Sequence, residues 1–119
     1  MLNYTEDKLD EILDIRDENL FSSKWMLIYD ELKSISDKNN VDKSYSDEMR
    51  ELAFKKVFNQ TNNSDLSSYI SDDIGMVIDA LTINYQNPWL NSLWLEYKNG
   101  NIPFEVNNSN NDKELASLI

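Results

Sequence analysis

The chain has neither cysteine nor histidine, and it carries only two glycines and two prolines among 119 residues. Without cysteine it can form no disulfide, and without either residue the zinc, haem and iron–sulfur sites built on them are excluded. The missing histidine removes the commonest side-chain base near neutral pH, and the missing thiol the readiest nucleophile. Any catalysis would fall to carboxylates, lysine or tyrosine, so the sequence reads as a non-enzyme that needs no metal and no cofactor. Scarce glycine and proline argue against a turn-rich β-sandwich. The longest uninterrupted apolar stretch, Trp25 to Tyr29, falls far short of the ~20 residues of a membrane-spanning helix. A soluble cytoplasmic protein is expected, with no signal peptide and no membrane contact.

What the chain has in excess is negative charge: 22 Asp and Glu against 11 Lys and Arg, a formal net charge of −11. Such a field attracts basic surfaces and repels nucleic acid and anionic membranes. The length suits one domain around one core. Apolar residues recur at three- and four-residue spacing along most of the sequence, which predicts an all-α fold. The expected architecture is a single compact bundle of about five helices over residues 1–106, followed by a mobile polar tail over 107–119 in which Leu115, Leu118 and Ile119 are apolar.

Thr5 is placed to cap a first helix, with Glu6 and Asp7 in its first turn, where carboxylates favour the helix dipole. Leu9, Ile12, Leu13 and Arg16 share one of its faces. A second helix is predicted from Ser22 or Ser23 through Trp25, Ile28, Tyr29, Leu32 and Ile35, ending in the polar run 36–40. A third starts at Ser46 and carries Met49, Leu52, Ala53, Lys56 and Val57. Residues 64–70 read as a short helical piece, after which Ser71 caps a separate helix led by Asp72 and Asp73, with Ile74, Val77, Ile78, Leu81 and Tyr85 along its stripe. Asn87 followed by Pro88 opens a last helix that Gly100 closes. Trp25, Trp89 and Trp94 fall on or beside apolar stripes and are assigned to the core.

The charge is unevenly spread. Residues 1–20 hold seven acids and two bases, 21–60 hold seven of each, and 61–84 hold four acids and no base. Should the first helix lie beside residues 65–79, the outward carboxylates of both would merge into one acidic face. Partner-binding residues are therefore placed at Asp65, Leu66, Tyr69, Asp72, Asp73 and Asp79. Asp10, Glu11, Asp14, Asp17 and Glu18 of the first helix form a secondary electrostatic set, for which a solvated, solubilising face is the competing reading. Tyr69 stands in a polar stretch between acids, and tyrosine is favoured at interface centres because its ring packs while its hydroxyl bonds.

Other site chemistry is missing. No glycine-rich phosphate loop, HExxH helix or calcium loop is present. Adjacent Asp72 and Asp73 project about 100° apart on a helix, so they cannot face each other across a substrate as glycosidase carboxylates do.

Two stretches carry a resemblance: Ser64 through Gly75, and Asn87-Pro88-Trp89-Leu90-Asn91-Ser92-Leu93-Trp94 continuing to Gly100. With the acidic, cysteine-free helical pattern, they make the chain similar to bacterial immunity proteins that neutralise toxins of the colicin and contact-dependent growth inhibition kinds. Tyr4-Thr5-Glu6 and Ser64-Asp65-Leu66 with a following Tyr also resemble the four-helix immunity proteins of nuclease colicins. In those, a short helix presents an Asp and tyrosines to the toxin, which the resemblance carries to Asp65 and Tyr69. The chain departs from that pattern in having Ser68 before Tyr69 instead of a second tyrosine, and in the extra helix from Pro88.

The resemblance implies occlusion. A basic cognate toxin, an RNase or DNase domain, would have its nucleic-acid-binding or active-site surface covered by the acidic helical face, with no direct contact between this protein and nucleic acid. The alternative is an acidic nucleic-acid mimic of the anti-restriction type, against which the balanced segment 21–60 counts. An adaptor reading would require a large exposed apolar patch, for instance around Trp89 and Trp94.

Overall fold

The structure, a computed structural model, describes residues 4–104. Its helices are α1 (Glu6–Asp17), α2 (Asn19–Lys38), α3 (Ser44–Thr61), α4 (Ser64–Thr82) and α5 (Pro88–Lys98). No strand occurs among the described residues, and the bundle is all-α. No helix among them is long and apolar enough to cross a membrane. The tail predicted over 107–119 lies outside them.

Side-chain caps act where their residue types allow. Thr5 accepts from the Lys8 amide at 3.1 Å, Asn63 from that of Leu66 at 3.0 Å, and Asn87 from that of Leu90 at 3.1 Å with Pro88 following as the first helical residue. At the opposite ends asparagine takes the part glycine usually plays: Asn40, Asn62 and Asn84 adopt left-handed φ values of 51°, 53° and 56°, and Gly100 one of 85°. Asparagine tolerates that region because its short polar side chain bonds locally. A chain with two glycines thereby stops four helices cleanly.

Three boundaries differ from expectation. The second helix opens at Asn19 instead of Ser22 or Ser23, because Glu18 alone, extended at φ −70° and ψ 151°, both ends α1 and starts α2. The third opens at Ser44, whose amide and hydroxyl donate to Asp42 at 2.9 and 2.6 Å; Ser46 lies inside that helix, donating to the Gly75 carbonyl at 3.4 Å. The two helical pieces expected around Ser71 are one continuous α4. Ser71 does not cap; its hydroxyl donates back to the Ser68 carbonyl at 3.0 Å, a local bond that a helix interior accommodates. Asp72 and Asp73 are therefore mid-helix, and capping is not what they do.

Two apolar clusters meet on α4. One joins Phe21, Ile28 and Leu32 of α2 to Met76, Val77 and Ala80 of α4 and to Trp89, Leu90 and Leu93 of α5. The other joins Leu9 and Ile12 of α1 to Leu66 and Ile70 of α4 and to Ile102. Burying each large aliphatic side chain contributes roughly 1.5–3 kcal/mol, so α4, which serves both clusters, is the central element. Helix α3 packs chiefly along α4. It buries no apolar residue fully: only Ser46 is buried, and Leu52, assigned to its inner stripe, is 53% exposed. Gly75 explains the close passage of α3's Arg50 over α4, since a Cβ there would stand 2.4 Å from Arg50 Cδ. Trp89 is core as expected, with its ring edge-on to Phe21 at 5.0 Å, while Trp25 and Trp94 are only partly buried.

Candidate functional site

An arginine buried on the apolar stripe of α1 is stable only if its charge is met inside the protein, best by a carboxylate. Arg16 does so. Its Nη1 and Nη2 donate to Asp73 Oδ2 and Oδ1 at 2.8 and 2.7 Å, a two-pronged contact between side chains that are both buried. Nη1 also reaches the Pro103 carbonyl at 3.3 Å. Asp73 accepts further from the Trp25 indole Nε1 at 2.8 Å and from the Tyr97 hydroxyl. Four helices are thus tied at one carboxylate: α1, α2, α4 and α5. Burial by itself would push the Arg16 guanidinium down, but the charge of Asp73 and its hydrogen bonds more than reverse that, and the group is held above its usual range. Burial, together with the negative charge of Asp73, pushes the Tyr97 hydroxyl well up, which keeps it a donor.

Outward of this pair lies the surface on which the two acidic segments meet. The Tyr69 hydroxyl donates to Asp17; that acceptor, with partial burial and the Asp17 charge, pushes the phenol up to about 12. The Tyr69 ring also packs against the Arg16 guanidinium at 5.2 Å. A groove of about 200 Å³ runs here between the α1–α2 junction and α4, walled by Phe21, Trp25, Met26 and Tyr69, with Arg16 inside and Asp17 and Asp72 bordering it. Trp25 and Asp72 continue into a second, narrower furrow that passes Tyr29 and Arg50 to Lys43 and Asp79.

The anticipated site residues divide accordingly. Asp65 is exposed one helical turn before Tyr69, and Tyr69 itself is half-buried. Asp72 is half-buried and accepts from Arg50 Nη2 at 2.7 Å; Asp79 lies 3.8 Å from Lys43 Nζ. Leu66 and Asp73 are fully buried. Neither offers a surface to a partner: Leu66 belongs to the apolar cluster under α1, and Asp73 is the internal counter-ion of Arg16. On α1 and at its end, Asp10, Glu11, Asp14, Asp17 and Glu18 are all exposed. Glu11 has Lys8 at 3.4 Å, while the other four form no ion pair among the described residues.

Residues that sequence reasoning did not place here are Arg16, Trp25, Met26 and Arg50. The signal for Arg16 was visible, a lone cation among Leu9, Ile12 and Leu13. For Trp25 it was not, since an indole that packs with its ring and donates with its N–H looks the same in a sequence as one wholly in the core. No group of carboxylates among the described residues is arranged to hold a metal ion.

No curated protein matches the chain, whereas the family model described as Immunity protein PIM1 matches residues 2–104, which include every helix of the described residues and both acidic segments. Membership points to an inhibitor of a toxin and away from an enzyme. The chain belongs to the PIM1 family of immunity proteins, which gives it a toxin-neutralising role and a cognate toxin as its partner.

Proposed function

We propose that the protein neutralises a basic nuclease toxin in the cytoplasm by docking an acidic helical face over the toxin's nucleic-acid-binding or active-site surface. The face consists of Asp10, Asp14, Asp17 and Glu18 at its α1 side and Asp65, Tyr69 and Asp72 on α4. The observation that carries this reading is the Tyr69–Asp17 hydrogen bond, which joins acidic stretches about fifty residues apart into one surface. Nucleases hold phosphates with lysine and arginine. Its surface carboxylates, of which Asp72 alone has an ion pair among the described residues, would steer such a domain in, and a partly desolvated aromatic centre would slow its release. Asp79 extends the same reading along the furrow with Lys43.

The test is growth rescue. The toxic domain encoded beside this gene is expressed with and without the protein, and the purified pair is titrated at low and high salt. The expected result is rescue, with one-to-one binding that weakens as salt rises. Rescue with salt-independent binding would remove the electrostatic mechanism, and a toxin without nuclease activity would remove the target class. Binding of DNA-binding proteins in place of the toxin would favour the mimic.

A further inference from the structure

Exposed carboxylates attract a basic protein without specifying which atoms meet, whereas the groove between the α1–α2 junction and α4 has the size and lining of a receptor. Pockets for drug-sized ligands run to roughly 300–1,000 Å³; this one, at about 200 Å³, suits a single side chain. Its walls are aromatic rings and a thioether, Phe21, Trp25, Tyr69 and Met26. A purely apolar occupant would satisfy them, but the border is not apolar. Asp17 engages Tyr69 through Oδ1 and Asp72 engages Arg50 through Oδ1, and each carboxylate has a second oxygen. Apolar faces with carboxylates at the edge match a side chain that has a long aliphatic stem and a cationic, planar end.

The protein's own Arg16 shows that these rings accept a guanidinium. Its Cζ lies 4.6 Å from the Phe21 centroid and 5.2 Å from that of Tyr69. Because Asp73 neutralises Arg16 through two hydrogen bonds, the inner end of the groove presents a cancelled charge, and Asp17 with neighbouring Asp65 leaves the outer end negative.

We propose that this groove captures one arginine side chain of the cognate toxin, its stem between Trp25, Met26 and Tyr69 and its guanidinium at Asp17 and Asp72. The proposal rests on the toxin-binding reading above and names the anchor within it. Arginine is preferred to lysine because a flat guanidinium stacks on rings and pairs with two acceptors at once.

Two measurements test it. The first titrates the intact protein with acetyl-Gly-Arg-Gly-amide, with the citrulline peptide of the same shape and no charge, and with the norleucine peptide, following the Met26 methyl and the Trp25 indole N–H by NMR. The arginine peptide should give saturable shifts at both and bind about tenfold more tightly than citrulline. Asp17→Asn, whose amide oxygen still accepts from Tyr69, should abolish that preference. Shifts equal for citrulline or norleucine, or absent at both reporters, would overturn the proposal. The second compares affinity for the toxin domain: Asp17→Asn should weaken it about tenfold, and Asp14→Asn, on the same helix but away from the groove, about twofold or less. Equal losses would also overturn it. Should wild-type protein bind toxin while both measurements fail, the groove is wrong and the immunity reading stands; should toxin not bind at all, that reading falls, and the peptides still decide the groove.

Discussion

Three of the four α4 carboxylates meet a cation in the folded chain, Asp72 at Arg50, Asp73 at Arg16 and Asp79 at Lys43. On α1 only Glu11 does so among the described residues, at Lys8. By sequence the two segments looked the other way round. Residues 61–84 hold no base, while the α1 segment holds Lys8 and Arg16. Folding reassigns these cations: Arg16 turns inward to α4, α3 lends α4 Arg50, and the residue just before α3 lends it Lys43. The negative field available to a partner therefore lies mainly on α1 and at Asp65; of the mid-helix acids of α4, buried Asp73 serves only to fasten neighbouring helices, while Asp72 and Asp79 are part-exposed and share their charge with Arg50 and Lys43.

The largest test of that division is Asp73→Ala. It leaves the buried Arg16 charge without its counter-ion and should lower unfolding free energy by about 3–5 kcal/mol, measured by urea denaturation. The double change Arg16→Met with Asp73→Leu should cost less than either single change, since no uncompensated charge remains. A mild effect of Asp73→Ala would show that water enters the site and would blur the contrast.

Next in size is the triple change of Asp10, Asp14 and Asp17 to Asn. The denaturation midpoint should hardly move, while the association rate with the toxin at low salt should fall by about tenfold or more. An unchanged rate would return these residues to a merely solubilising face.

Alkaline pH gives a smaller effect with a definite sign. Tyr69 is pushed up to about 12 by its bond to Asp17, and Tyr85 to about 12 by burial and its bond to Glu31. A phenol whose folded value is raised stabilises the fold fully below its unfolded value near 10, and that contribution is lost as pH rises from there through 12. Tyr69→Phe and Tyr85→Phe should each flatten the fall of stability between pH 10 and 12.

Arg50→Ala should have the least effect, at most about 1 kcal/mol, because the pair it breaks is half exposed and screened. It also frees Asp72, so toxin affinity should hold or rise. A loss of affinity would mean that Arg50 itself touches the partner.

Much of the fold was legible because its signals are local. The Thr5 and Asn87 caps, Pro88, the Gly100 stop and the stripes of α1, α2 and α4 each depend on residues within a turn or two. The missed boundaries have equally local causes of a rarer kind: a single extended Glu18, an Asp42 side chain that accepts from the amide and hydroxyl of Ser44, and a Ser71 that bonds back inside a helix. The site was less legible. Asp65 and Tyr69 stand at the surface where expected, but Leu66 and Asp73 do not, since an acid that faces a partner and one that faces a buried arginine are identical as letters.

What the sequence determined by itself is the all-α class, the absence of cysteine and histidine chemistry, and the sign of the field, all sums over single residues or short windows. Only tertiary structure decided which carboxylates remain free and which rings border them. That outcome rests on contacts such as Arg16 with Asp73 and Tyr69 with Asp17, whose members lie more than fifty residues apart and which form only when the apolar faces of α1, α2 and α4 pack together.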